Sequence, residues 1–137
     1  YYVNASADLY SDHGLILMSA GVDHKQVETV IKSSLEEFAR FKNEKVGAEE
    51  LQRAKDHLIG RLFLSIETSD EIGYFYGGQE VMGLALETPQ AAAEKINAVK
   101  AEEIQAVALS LFKNESLNLA IIGPFKDKKF SDILKVV

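Results

Sequence analysis

An α+β fold, a largely antiparallel sheet with helices packed on one face, is what this sequence predicts, and three observations predict it. The first 22 residues read as a β-hairpin, several segments of helical period follow, and an apolar run ended by Gly123-Pro124 reads as a closing strand. At 137 residues the chain fits one domain that can bury a real core, and no linker in it is long enough to divide it. The apolar share of 47% and charged share of 26% are those of an ordinary globular protein.

The hairpin organises the rest. Tyr1, Val3, Ala5, Ala7 and Leu9 alternate with Tyr2, Asn4, Ser6, Asp8 and Tyr10, the period-2 pattern of a strand with one apolar and one polar face. Ser11-Asp12-His13-Gly14 supplies the turn, and Leu15 to Val22 supplies the second strand. Because the first strand begins at the first residue, the expectation is a piece of a longer protein, with the N-terminal part of its half absent. Removing it should uncover a sheet edge and apolar area, and the chain should then pair with a copy of itself or be poorly soluble.

Asp23 followed by Gln26 resembles a capping box, and Val27, Val30, Ile31, Leu35 and Phe38 then recur at helical spacing up to Asn43-Glu44-Lys45. Gly47 opens a second helix with Glu49 and Glu50 in its first turn and an apolar face of Leu51, Ala54, Leu58 and Leu62, extending to Ile66. Thr68 with Glu71 fits a capping box for the next segment, Ile72 to Leu84, in which Gly73, Gly77 and Gly78 argue against a regular helix and permit close approach of a neighbouring backbone. Thr88-Pro89 starts a short helix through Ile96. Ala101 starts another, with Ile104, Val107, Ala108 and Leu111 on one face. Leu117 to Ile122 reads as a buried strand, and Phe130 to Leu134 as a last short helix.

Composition excludes several chemistries. With a net charge of −6 and no basic stripe, a nucleic-acid partner is disfavoured. No apolar run approaches the roughly 20 residues that cross a bilayer. Without cysteine there is no disulfide, thiolate nucleophile or cysteine-held metal, and the compartment stays undetermined. The histidines, His13, His24 and His57, stand at no zinc-peptidase spacing; His24 with Glu28 is an i, i+4 pair that reads as a solvated helix face. Ser65 and Ser69 sit at helix ends where capping accounts for them, and Gly77-Gly78 lacks the Lys-Ser/Thr of a phosphate loop. Tyr74 and Tyr76, which flank those glycines, could line a pocket, but aromatics on an apolar stretch more often read as core.

Six short pieces nevertheless stand in a familiar order: Tyr1-Tyr2-Val3, Tyr10-x-Asp12-x-Gly14-Leu15, Glu50-Leu51-x-Arg53-Ala54-Lys55, Ser65-x-Glu67-Thr68, Ile96-x-x-Val99-x-x-Glu102-x-Ile104-x-x-Val107-Ala108 and Ile122-Gly123-Pro124. The chain resembles the C-terminal half of pitrilysin/insulinase-family zinc peptidases, the inverzincins, in the branch like mitochondrial processing peptidase. The resemblance covers nearly the whole chain.

The resemblance implies two similar α+β halves closing around a substrate chamber. The absent N-terminal half binds zinc through an H-x-x-E-H helix and a later glutamate, and this half holds the peptide substrate, with no metal and no activity of its own. Its partner is then that zinc-binding half, in the same protein or in a partner subunit. The family also places an Arg and, seven residues later, a Tyr against the peptide at the scissile bond. Tyr1 matches that Tyr, as a substrate or oxyanion contact, while the Arg would lie upstream. The alternation with Val3 and Ala5 equally fits a plain strand aromatic. Two other readings stay open: a scaffold or substrate-recognition subunit of the same family, and a small peptide-binding module using an open sheet edge.

Overall fold

The alternation at the start of the chain does form a hairpin. In the computed structural model, which describes residues 1–126 and 128–136, β1 (Tyr2–Leu9) pairs antiparallel with β2 (Gly14–Gly21). The Tyr10 N–H donates to the His13 carbonyl at 2.9 Å and closes the turn. The register puts Val3, Ala5, Ala7 and Leu9 opposite Ala20, Met18, Ile16 and Gly14, so one face is apolar throughout. Tyr2, Asn4, Ser6 and Asp8 share the other face with Gly21, Ser19, Leu17 and Leu15. At Gly21 the Tyr2 ring lies so close that a Cβ would sit 2.6 Å from it, so a larger residue there would displace the exposed ring.

Five helices follow, so the fold class is α+β as predicted. They are α1 (Val27–Asn43), α2 (Ala48–Leu64), α3 (Ser69–Val81), α4 (Pro89–Ala98) and α5 (Ala101–Leu111), with a 3₁₀ turn at Asn114–Ser116. By internal contacts the chain falls into two units, Tyr1–Lys45 with Ile104–Val137, and Val46–Glu103.

The first unit is built on the apolar stripe of α1. Ile31 and Leu35 are buried with Val136, and Val27, Phe38 and Ala39 pack against them from the same helix. Their cover is the C-terminal segment, through Phe112, Leu117, Ile121, Phe130, Ile133 and Leu134. Phe38 and Phe112 stack at 4.5 Å between ring centroids. The Asn114 Oδ1 accepts from the Val136 N–H at 2.8 Å, and the Gln105 amide donates to the Lys42 carbonyl at the end of α1 at 2.9 Å.

Three expectations for this unit are corrected. Leu117–Ile122 forms no strand, and the sheet holds β1 and β2 alone among the described residues. An apolar run ended by Gly-Pro encodes an extended backbone, whereas pairing needs a partner edge that no local pattern specifies. Phe130–Leu134 is a turn rather than a helix, with Ile133 N–H donating to the Phe130 carbonyl and Leu134 N–H to that of Ser131. Finally, α1 starts at Val27 with no side-chain cap from Gln26. The Asp23 carboxylate accepts from the Lys25 N–H at 2.8 Å, an Asx turn that competes with the predicted box.

The second unit is set by its helix ends. Thr68 and Glu71 make the predicted capping box, and Thr88 caps α4 through the Ala91 N–H ahead of Pro89. Helix α2 packs on α4, and Lys55 Nζ donates to the Asn97 carbonyl at 2.8 Å, a cation on the last turn of α4. The half-buried face of α2 is Leu51, Lys55, Ile59 and Leu62; Ala54 and Leu58, predicted to be apolar contacts, are exposed. Against expectation, α3 runs unbroken through Gly73, Gly77 and Gly78, and a Cβ at any of them would meet nothing within 4 Å. Those glycines serve no close approach among the described residues. The helix ends instead at Gly83, whose φ of +66° and the Leu84 N–H to Gln79 carbonyl bond of 2.9 Å make a Schellman stop.

Candidate functional site

Tyr1 precedes the hairpin, at the end where β2 runs into the turn ahead of α1. Its side chain is 99% exposed and makes no hydrogen bond among the described residues, so the phenol is a free donor. Beside it lies an open hollow of about 530 Å³ lined by Tyr1, Val22, Asp23, Lys25, Gln26 and Val30. Val22 and Val30 supply apolar wall, while Asp23 is fixed by its bond to the Lys25 N–H. The sequence had offered Asp23 and Gln26 only as a helix start. Their place beside Tyr1 follows from the register of the hairpin, which returns the chain to its first residue.

The other candidates do not gather. His13 lies in the hairpin turn, its Nδ1 2.6 Å from Asp12 and its ring stacked on Tyr10 at 4.7 Å. His24 sits ahead of α1 with its Nδ1 3.6 Å from Asp23, so it is not on one helix with Glu28. His57 is exposed on α2. No group of three His, Asp or Glu side chains among the described residues is placed to hold a metal ion. Tyr74 is exposed and Tyr76 half-buried on α3, and neither enters a buried core.

Two carboxyls are held below their usual range. Glu28 is lowered by its hydrogen bond and charge pairing with Lys128 at 2.7 Å, and Lys128 also stands 5.7 Å over the Phe130 ring. Glu71 is lowered by accepting from the Thr68 backbone N–H and hydroxyl, both at 2.9 Å. Gln79 was missed by the sequence reading. Its Oε1 accepts from the Glu87 N–H at 2.7 Å and its Nε2 donates to the Glu87 and Phe75 carbonyls at 3.2 Å, which fixes the loop into α4. These three groups shape the scaffold and lie outside the Tyr1 hollow.

Comparison with known proteins bears on what the hollow belongs to. Residues 1–58, from Tyr1 through the hairpin and α1 into α2, match the Peptidase M16 inactive domain. The chain is 27% identical over 124 residues to an uncharacterised zinc protease, YmxG, of Bacillus subtilis, covering 90% of this chain and 30% of that protein. It is 32% identical over 128 residues to an uncharacterised zinc protease of Rickettsia felis, with the same coverage of 90% and 30%. The chain fits a pitrilysin-family C-terminal half.

A mitochondrial-processing peptidase subunit alpha, from Pongo abelii, is 28% identical over 118 residues, 86% of this chain and 22% of that subunit. The chain thus spans under a third of the length of these relatives. Its matched stretch contains every residue of the Tyr1 hollow.

Proposed function

We propose that this chain is the substrate-holding half of a zinc-dependent metalloendopeptidase, with the zinc carried by a separate, catalytic half. The observation that carries the reading is the match of residues 1–58 to the inactive peptidase domain, reinforced by relatives named zinc proteases.

Within that reading Tyr1 is the catalytic residue of this half. A phenol O–H free of partners donates to a carbonyl oxygen as negative charge develops there, and Tyr1 has no competing acceptor among the described residues. The hollow beside it holds the peptide chain next to that carbonyl, with Val22 and Val30 against its apolar part. In the complete peptidase, zinc supplies the activated water. This half binds, orients and shields the peptide.

The decisive experiment compares the 137-residue chain with its full-length parent on an unstructured peptide library. The chain alone is expected to show no chelator-sensitive cleavage. In the parent, Tyr1→Phe is expected to lower kcat by about 10²-fold with little change in KM, the signature of a donor used in the transition state. Chelator-sensitive hydrolysis by the isolated chain, or an unchanged kcat in the variant, overturns the assignment.

The processing-peptidase alpha relatives favour a second reading, a recognition or scaffold subunit whose zinc half is a different chain. It is distinguished by the parent gene. A parent without an H-x-x-E-H segment that gains activity only with a second subunit supports it.

A further inference from the structure

Nothing at the Tyr1 side chain fixes where it stands, and from its neighbours we infer that Tyr2 and Gly21 are the positioning pair for Tyr1, the Tyr2 ring clamping the end of the hairpin that presents the phenol. The inference deepens the catalytic reading of Tyr1 above and rests on it. Tyr1 is almost fully exposed, and its side chain makes no hydrogen bond among the described residues. Its place is therefore set through the backbone that follows it. Tyr2 opens β1 and pairs with Gly21, the last residue of β2, so this pair is the final rung of the hairpin before Tyr1. Val22, the residue after Gly21, lines the same hollow as Tyr1.

The Tyr2 ring lies across Gly21, its Cε1, Cδ1 and Cζ standing 2.6, 2.8 and 3.4 Å from where a Cβ would be. Any other residue at position 21 would push the ring away. At the opposite end of the hairpin Gly14 pairs with Leu9, and there the side chain of the partner comes no nearer than 3.3 Å to the same point. A glycine in a strand adds backbone freedom and packs nothing, so a bare rung at Gly21 would fray first. An aromatic ring laid over the glycine of the facing strand restores the missing contact and restricts that freedom. Successive side chains of an extended chain project to opposite sides, so Tyr2 holds the rung while leaving the Tyr1 phenol uncovered. A donor used in the transition state tolerates little displacement, since a shift of ~1 Å costs on the order of 10²-fold in rate. Tyr2 thus acts on the reaction through the place of Tyr1 and touches no substrate itself.

The test is a double-substitution cycle in the full-length parent, read as kcat and KM on one unstructured peptide. Tyr2→Ala removes the ring and is expected to lower kcat about tenfold with KM little changed, whereas Tyr2→Phe keeps the ring and stays within about twofold of wild type. Gly21→Ala, whose Cβ displaces the ring, is expected to lower kcat in the same way. On top of Tyr1→Phe, Tyr2→Ala is expected to add less than about twofold, because the clamp has nothing left to position once the hydroxyl is gone. A merely structural role multiplies the two effects instead, and that result overturns the inference. So does a wild-type kcat in Tyr2→Ala, a Tyr2→Phe enzyme as damaged as Tyr2→Ala, or a loss of kcat that only follows the loss of folded protein seen in urea unfolding. The two readings fail separately. A parent that cleaves nothing, or a Tyr1→Phe enzyme with unchanged kcat, removes the catalytic reading and the clamp with it, while a Tyr1→Phe loss that Tyr2→Ala multiplies removes the clamp alone.

Discussion

The two units of this chain are held in opposite ways. In the unit built on α1, Ile31 and Leu35 are buried against Val136, and the bonds that fix the cover, Asn114 to Val136 and Gln105 to Lys42, join residues far apart in sequence. In the unit of Val46–Glu103 the only buried apolar side chain is Ala93. There most of the order comes from short-range devices, the Thr68–Glu71 box, the Thr88-Pro89 start, the Gly83 stop and the Gln79 bracket on Glu87, with α2 joined to α4 by packing and by the Lys55–Asn97 bond. One unit is fixed mainly by what it buries, the other mainly by how its helices end. The same free energy of folding can be reached by either route, but the two respond differently to mutation.

Truncating a buried side chain is the strongest way to break the contrast. Leu35→Ala removes apolar volume from a closed core and is expected to cost about 2–4 kcal/mol, seen as a lower midpoint in urea with near-ultraviolet signals from Phe38 and Phe112 lost together. Ile59→Ala on the half-buried face of α2 removes side-chain volume of the same kind and is expected to cost only about 1 kcal/mol. Equal costs would mean that the second unit buries this face against something more.

What the sequence disclosed follows the same division. The hairpin was legible because period-2 alternation and a Ser-Asp-His-Gly turn are local, and so were the Thr68 box, the Thr88-Pro89 start and the stripe of α1, whereas Ala54 and Leu58 of the predicted α2 face and Val107 and Leu111 of the predicted α5 face are exposed. Leu117–Ile122 was not, because its apolar residues specify burial without saying against what, and α1 rather than a sheet edge receives Leu117 and Ile121. The start of α1 was misplaced because Asp23 could cap a helix or close an Asx turn, and only three-dimensional context decides between them. At the candidate site, Tyr1 was accessible through its neighbours Tyr2-Val3 and the family pattern. The hollow was not, since Val22 to Val30 come near Tyr1 only once the hairpin register is set. Gly83 could have been found from its place just after the α3 pattern, whereas Gly73, Gly77 and Gly78 drew attention that their surroundings do not repay.

Those glycines offer a change of opposite sign. Gly77 lies in the interior of α3 and a Cβ there would meet nothing within 4 Å, so Gly77→Ala is expected to stabilise the second unit by about 0.5–1 kcal/mol by removing freedom from the unfolded chain. Thermal unfolding followed at 222 nm reads it. A loss of stability would reveal that α3 meets a neighbouring surface at this position, and would make Gly73, Gly77 and the exposed Tyr74 the first residues to examine for it.

The smallest effect separates the units by salt. Glu28 and Glu71 both have carboxyl groups held below their usual range, Glu28 by the ammonium of Lys128 and Glu71 by the neutral donors of Thr68. Because each pKa is lower in the folded than in the unfolded chain, each contribution to stability is present above the ordinary carboxylate pKa and fades as pH falls through the lowered value. The cause differs, so the response to ionic strength must. At about 1 M salt the screening length falls to ~3 Å, and an exposed Glu28–Lys128 pair loses most of its attraction, whereas hydrogen bonds inside a capping box keep theirs. Carbon-detected NMR titration of the two carboxyls is therefore expected to show the Glu28 pKa rising toward its ordinary value in high salt while that of Glu71 stays low. If both rose together, the Glu71 shift would be electrostatic in origin, and the ends of the second unit's helices would depend on long-range charge rather than on the residues beside them.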